Sequence, residues 1–307
     1  MGHYVRLFLK GMAMGAADVV PGVSGGTIAF ISGIYQELID AIRALNLAAL
    51  RTLLRGEFAQ FWAQINGNFL LVLLAGIVSS IASLAQLISY LLAQYPLLIW
   101  SFFFGLIIAS AIYIYRGQRF SSWQEWLAMA VGSGCALAVA FAPTLQLEPS
   151  LPVIFGAGAV AICAMILPGV SGSFMLLIMG LYPSLIGAVV DVNLAVLAVF
   201  AAGCVCGLLS FSRFLSWLLH HFYATTLALL TGFLVGSLAV VWPWKRALTT
   251  TVDRHGGELV LRSELLTPWE YGNVIGDPRW ATALAMMVSG LVLVFALEYI
   301  GVRKDKN

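Results

Sequence analysis

The chain has 307 residues, of which 61% are hydrophobic and 10% charged, with a mean hydropathy of +0.95. Soluble domains carry about a quarter charged residues, so this composition excludes an ordinary soluble domain and predicts an integral membrane protein. A formal net charge of +2, with no basic arm, gives no ground for a nucleic-acid partner.

The first stretch, MGHYVRLFLKGMAMGAADVVPG, starts basic but runs straight into a helix-breaking motif, which argues against a cleaved signal peptide. That motif, DVVPGVSGGT at 18–27, returns as MILPGVSGSF at 165–174. Aligning 17–42 with 164–189 needs no gap and superposes Pro21 on Pro168, Ser24 on Ser171, Gly33 on Gly180 and Tyr35 on Tyr182. The apolar run 7–20 before the first motif contains Lys10 and Asp18, and the run 153–167 before the second rises only about 22 Å. A spanning helix needs about 20 apolar residues, so each PGVSG segment reads as the tip of a re-entrant helical hairpin.

Residues 43–67 carry Leu47, Leu50, Leu54, Phe58, Phe61 and Ile65 at helical spacing, with Arg43, Arg51, Arg55 and Gln64 elsewhere on the wheel. This insertion predicts an amphipathic helix lying in the membrane surface. Spanning helices are predicted over 68–93, 95–115 and 123–142, and again over 192–219, 222–242 and 280–300. The stretch 87–110 lies over 214–237, matching Gly105 to Gly232 and Ser110 to Ser237, and Trp126 and Phe141 match Trp280 and Phe295 more weakly. Segment 244–279 is polar; TTTV and ELVLR flank His255-Gly256-Gly257 there as a predicted hairpin in an external cap. Cys135, Cys163, Cys204 and Cys206 lie in apolar sequence without CxxC spacing and read as packing residues, so neither a metal nor a cofactor is expected.

The expected fold class is therefore an all-α integral membrane protein of two inverted-topology repeats, 1–143 and 152–301. Each repeat is a re-entrant helical hairpin plus three transmembrane helices, an odd number of crossings. With both termini cytoplasmic, Arg6, Lys10, Arg43, Arg51, Arg55, Arg116, Arg119, His220, His221, Arg303, Lys304 and Lys306 fall inside. Segments 94–96 and 143–152 have no Lys or Arg and fall outside, as the positive-inside rule requires.

Broken helices at membrane depth survive only where they are buried in protein or line a wet cavity, and inverted repeats of them mark transporters. Pro21 and Pro168 end the first helix of each hairpin, Gly22 and Gly169 permit the turn, and Ser24 and Ser171 are placed to cap the returning helix. The amides of Gly25, Gly26 and Thr27, and of Gly172 and Ser173, then form a nest suited to phosphate. The competing reading is that Pro and Gly only turn a hairpin; duplication of the motif favours a shared site. Arg213 lies within a predicted span opposite Gln86 in the repeat, and reads as a phosphate ligand against the alternative of snorkelling toward His220. Asp18, whose counterpart is Met165, is a candidate proton-coupling carboxylate or partner of Arg213, against a plain helix-end contact. Glu37 and Asp40 read as solvated surface.

Two enzyme readings are weak. GVSG fits the G-x-S-G of rhomboid-type proteases, but the histidines (His3, His220, His221, His255) are predicted at membrane edges or in loops, so the base is missing. A phosphatidic-acid-type phosphatase would need a histidine where Leu219 follows Ser212-Arg213, and PGVSG is not P-S-G-H.

GMAMGAADVVPGVSGGTIAFISGIYQELI together with ILPGVSGSFMLLIMGLYPSLI resembles a bacterial membrane family, formerly a domain of unknown function, associated with undecaprenyl-phosphate (polyprenyl-phosphate) translocation. The similarity covers nearly the whole chain apart from the external segment and the termini. It implies a flippase of the bacterial plasma membrane that returns undecaprenyl phosphate from the outer to the cytoplasmic leaflet for cell-envelope polymer synthesis. On it, Asp18, 21–27 and 168–173 carry over as motif positions; Arg213 rests on the physical argument. The alternatives are a small-anion channel or exchanger using the same nest, and a lipid-binding scaffold without transport. The oligomeric state is not legible.

Overall fold

A computed structural model describes residues 2–20, 23–252 and 258–304. Pro21 and Gly22 of the first motif, and the predicted hairpin tip at His255-Gly256-Gly257, lie outside those residues.

The chain is mostly helical. Helix α1 (Gly2–Asp18) leads through the first motif to α2 (Gly25–Ile31) and α3 (Tyr35–Ala44). Between these two, Gly33 takes φ +73°, with Gly33 N–H donating to the Phe30 carbonyl and Ile34 N–H to that of Ala29. This paired left-handed stop satisfies carbonyls that a helix end leaves open. The insertion forms α4 (Leu47–Leu54) and α5 (Phe58–Gln64). The expected single helix is broken because Gly56, at φ +78°, turns the chain between them, while apolar spacing continues across the break. Asn46 caps α4 by accepting from the amides of Ala48 and Ala49.

Next come α6 (Gly67–Gln94), α7 (Pro96–Gln118) and α8 (Trp123–Ala140), the last opened by a reciprocal Ser122–Glu125 capping box. The second motif joins α9 (Leu151–Ile166) to α10 (Gly172–Ile178), followed by α11 (Tyr182–Val190) at a bend of 109°. The stop between them repeats the first one: Gly180 has φ +73°, Gly180 N–H donates to Leu177, and Leu181 N–H to Leu176. Then follow α12 (Leu194–His221), α13 (Tyr223–Ser237), strands β1 (Lys245–Val252) and β2 (Glu258–Leu265), α14 (Pro268–Val274) and α15 (Trp280–Lys304).

Among the described residues, Gly67–Leu84, Pro96–Gln118 and Leu194–His221 are long and apolar enough to cross a membrane, and the bent pair α10–α11 passes the same test jointly. The span expected over 222–242 is shorter than predicted. Helix α13 has 15 residues, and the chain turns after Ser237, with Val240 N–H donating to the Ser237 carbonyl. The departure from an all-α chain is the antiparallel hairpin β1–β2, which pairs Lys245 with Leu265 through to Val252 with Glu258. Its strands contain the predicted TTTV and ELVLR segments.

The chain forms two compact units, and each takes segments from both sequence halves. The first comprises 1–89 and 146–227, the second 90–145 and 228–307. In the first unit, α1 packs on α6 where Gly11 meets the Leu73 carbonyl and Gly76 meets that of Phe8. Helix α9 packs on α12 in the same manner, with Gly158 against the Phe200 carbonyl and Gly203 against that of Phe155. A Cβ at any of these four glycines would collide with the facing backbone. Ile154, Ala157, Ala161, Leu176, Leu181 and Leu185 form the buried apolar cluster beneath the second motif.

In the second unit, α7 packs on α15 and α8 on α13, again through backbone-to-backbone approaches at Gly105, Gly290, Gly132 and Gly232. The strand hairpin and α14 are tied to this unit by Trp242 Nε1 donating to the Leu266 carbonyl (2.8 Å) and Trp244 Nε1 to that of Pro278 (2.9 Å). Lys245 donates to the Val240 carbonyl at 2.7 Å, and its ammonium lies 3.5 Å from the centre of the Trp100 ring. Burial pushes that ammonium down to about 7.

Candidate functional site

The two motif copies meet inside the first unit. Ser24 has an extended backbone (φ −124°, ψ 139°) and caps α2: its Oγ accepts from the Gly26 amide at 3.1 Å. The same hydroxyl donates to the Met165 carbonyl of α9 at 2.8 Å. Met165 and Ile166 end α9, so their carbonyls have no partner within the helix. The Tyr35 hydroxyl, buried at the start of α3, donates to the Ile166 carbonyl at 3.1 Å. Thr27, fully buried, accepts from the Gly169 amide at 2.9 Å, where Gly169 takes φ +82°. Side chains of the first copy thus complete the helix end and turn of the second.

The first copy also satisfies much of its own turn. The Asp18 carboxylate accepts from the Gly25 amide at 2.6 Å, and the Thr27 amide donates to the Ser24 carbonyl at 2.9 Å. Gly25 leaves space for that carboxylate, and Gly26 lies against the carbonyls of Met165 and Ile166. The amides at Gly25, Gly26 and Thr27 are therefore occupied by Asp18, the Ser24 hydroxyl and the Ser24 carbonyl. In the second copy, Ser171 has the extended backbone of a cap, but its hydroxyl pairs with that of Ser173 at 3.0 Å. Among the described residues, the amides of Gly172 and Ser173 have no hydrogen-bond partner. Pro168 is fully buried, and Gly172 lies against the Ala161 carbonyl, which folds α10 back on α9.

Arg213 stands apart from this arrangement. It is exposed on α12 and lines a groove with Leu45–Leu50, Leu53, Phe61 and Leu209, none of which belongs to either turn. Asp18 holds the Gly25 amide, and among the described residues it forms no ion pair.

A polar cluster that sequence reading missed joins α3 to α12. Buried Ser216 donates to Asp40 at 2.6 Å and accepts from Arg43 at 3.0 Å. His220 Nε2 lies 3.8 Å from the other Asp40 oxygen. The available signal was a match between Asp40 and Arg43, three apart on one helix, and Ser216 and His220, four apart on another. Glu37 instead accepts from Asn66 at 2.8 Å. Among the described residues no group of His, Cys, Asp and Glu has the arrangement of a metal site, and all four cysteines are free thiols.

The family model described as undecaprenyl phosphate translocase-like matches residues 14–259. The chain is 46% identical over 297 residues to a polyprenyl-phosphate transporter of Vibrio cholerae serotype O1, covering 96% of each chain. It is 37% identical over 254 residues to a polyprenyl-phosphate transporter of Staphylococcus aureus, covering 76% of this chain and 85% of the relative. No solved structure matches it.

Proposed function

The chain belongs to the undecaprenyl phosphate translocase-like family and is a multi-pass membrane protein, and from that premise we propose that it moves undecaprenyl phosphate from the outer to the cytoplasmic leaflet of the bacterial plasma membrane. The returned carrier serves again in cell-envelope polymer synthesis. The observation that supports this most directly is that Ser24, Thr27 and Tyr35 of the first copy complete the helix end and turn of the second.

The chain then consists of two inverted repeats, 1–143 and 152–301, each opening with a re-entrant hairpin, with both termini in the cytoplasm. Support comes from the matched helix stops at Gly33 and Gly180 and from the matched glycine crossings of α1 on α6 and of α9 on α12. Each hairpin approaches the site from its own leaflet, and the phosphate is held where the two turns meet. The amides of Gly172 and Ser173 supply donors there, with Ser171 and Ser173 as adaptable hydroxyls. Ser24, Gly25, Gly26 and Thr27 form the opposing wall, and Asp18 fixes its shape by holding the Gly25 amide. Alternating access follows from rearranging a few hydrogen bonds at the turns while the glycine-packed helices move as bodies.

The test is leaflet exchange of undecaprenyl phosphate in sealed liposomes, with inorganic phosphate as a competing anion. Wild-type protein should exchange the lipid and be indifferent to inorganic phosphate, and the Ser24→Ala/Ser171→Ala double variant should lose at least about tenfold in rate, because it removes the bond that holds the opposing wall to α9 and a hydroxyl offered to the phosphate. Full exchange by the folded double variant would remove the turns from the mechanism.

A further inference from the structure

Arg213 has an unusual setting. It lies eight positions before the end of α12 at His221, which is about 12 Å of helix rise, on a stretch flanked by exposed Phe214 and Trp217. Among the described residues it makes no hydrogen bond and no ion pair. A guanidinium within an apolar helix long enough to cross a membrane is costly in hydrocarbon unless an anion or water meets it.

The space in front of it is built for an amphiphile. The groove between α4 and α12 has a volume of about 830 Å³, and Leu47, Leu50, Leu53, Phe61 and Leu209 supply its apolar wall. That volume is in the range of small-molecule pockets, about 300–1,000 Å³. Besides Arg213, the polar side chain on the lining is Asn46. Its Oδ1 is committed to the amides of Ala48 and Ala49, which leaves the Nδ2 hydrogens as donors. The groove therefore offers donors and positive charge at one point and hydrocarbon contact elsewhere. The apolar lining continues outward through Leu50 and Leu54, which are 48% and 78% exposed.

We propose that this groove is a second lipid site, separate from the paired turns, in which Arg213 and Asn46 hold the phosphomonoester of a prenyl phosphate and the leucines hold the first units of its chain. The inference rests on the transport reading in taking the transported lipid as occupant. The lining favours that class. The terminal oxygens of a phosphomonoester can meet both Arg213 and the Asn46 amide, whereas a headgroup bearing glycerol or sugar hydroxyls would find leucine where it needs partners. The site serves as a peripheral landing point at which the lipid is gathered next to the protein. It also accounts for the insertion at 43–67, which the second half of the sequence lacks.

The experiment uses the full chain in nanodiscs of zwitterionic phospholipid, with farnesyl phosphate carrying a diazirine on its first isoprene unit as the probe. After irradiation, adducts are mapped by peptide mass spectrometry. The expected result is labelling within 45–61 and 209–213, reduced at least about tenfold in Arg213→Ala as befits loss of a charge-assisted contact, and largely kept in Arg213→Lys. Leu50→Trp, which fills the groove and leaves the charge, should reduce it comparably. Competition by undecaprenyl phosphate, and not by phosphatidylglycerol or inorganic phosphate, is expected. Labelling that ignores Arg213→Ala, or an uncharged farnesol diazirine labelling equally, overturns the proposal. So does equal competition by phosphatidylglycerol or by inorganic phosphate. Because labelling is read at equilibrium without leaflet exchange, the groove can fail while the Ser24/Ser171 result stands, and the reverse.

Discussion

Thr27 shows how closely the two motif copies depend on single atoms. Its side chain is fully buried, and its Oγ1 accepts the Gly169 amide at 2.9 Å. Thr27→Val keeps the shape and removes the acceptor, leaving a buried N–H without a partner, at a cost of about 1–3 kcal/mol. The thermal unfolding midpoint of purified Thr27→Val should fall, and Thr27→Ser should recover most of the difference; equal midpoints for all three proteins would show that the bond contributes nothing. Sequence alone identified Ser24 as a cap, because a hydroxyl before Gly-Gly-Thr at a helix start has one obvious use. It did not reveal that Asp18 takes the Gly25 amide, since a carboxylate seven residues away reaches it only once the turn has formed. Arg213 was visible as a charge in an apolar helix; its separation from the turns depends on which side of α12 it faces and where the insertion lies.

At the scale of elements, helix contacts rather than helix propensity decide the packing. Gly203 of α12 faces the Phe155 carbonyl of α9 so closely that a methyl group would strike backbone. Gly134 of α8, by contrast, has open space where a Cβ would be. Small residues that let helix backbones approach are the usual device for association in lipid, where apolar side chains gain nothing from leaving their surroundings. Gly203→Ala should therefore lower the midpoint by several degrees or reduce the yield of monodisperse protein, whereas Gly134→Ala should leave both unchanged. Equal behaviour would mean that α9 and α12 can separate without penalty. Hydropathy located most helices within a few residues, but overextended α13 to 242 because Val240, Val241 and Trp242 are apolar although turned out of the helix. It also passed over the break at Gly56, where apolar spacing survives a change of backbone direction.

For the whole molecule, the proposed orientation rests on charge. Residues 143–152 contain no Lys or Arg, whereas 116–119 carries Arg116 and Arg119. In a variant with the four native cysteines replaced by serine, Ser150→Cys should react with a membrane-impermeant thiol reagent in intact cells. Gln118→Cys should react only after permeabilisation. Reaction of both from the same side would end the inverted arrangement. The repeat was legible because it is written in residue identity, from Pro21 and Pro168 to Tyr35 and Tyr182. The compact units were not legible, because each recruits helices from both halves, and pairing partners far apart in sequence leave no local signal. Helix α7 finds α15 and α8 finds α13 only when the whole chain is present.

The crossed bonds at the turns bear on how such a chain can change over generations. A duplicated segment ordinarily frees one copy to drift while the other keeps the ancestral role. Here the hydroxyls of Ser24 and Tyr35 serve carbonyls of the other copy, and Thr27 serves its glycine. The dependence runs one way: the first copy's residue identities are bound by the second copy's backbone, while the second, which offers only backbone groups at these contacts, keeps more freedom to vary.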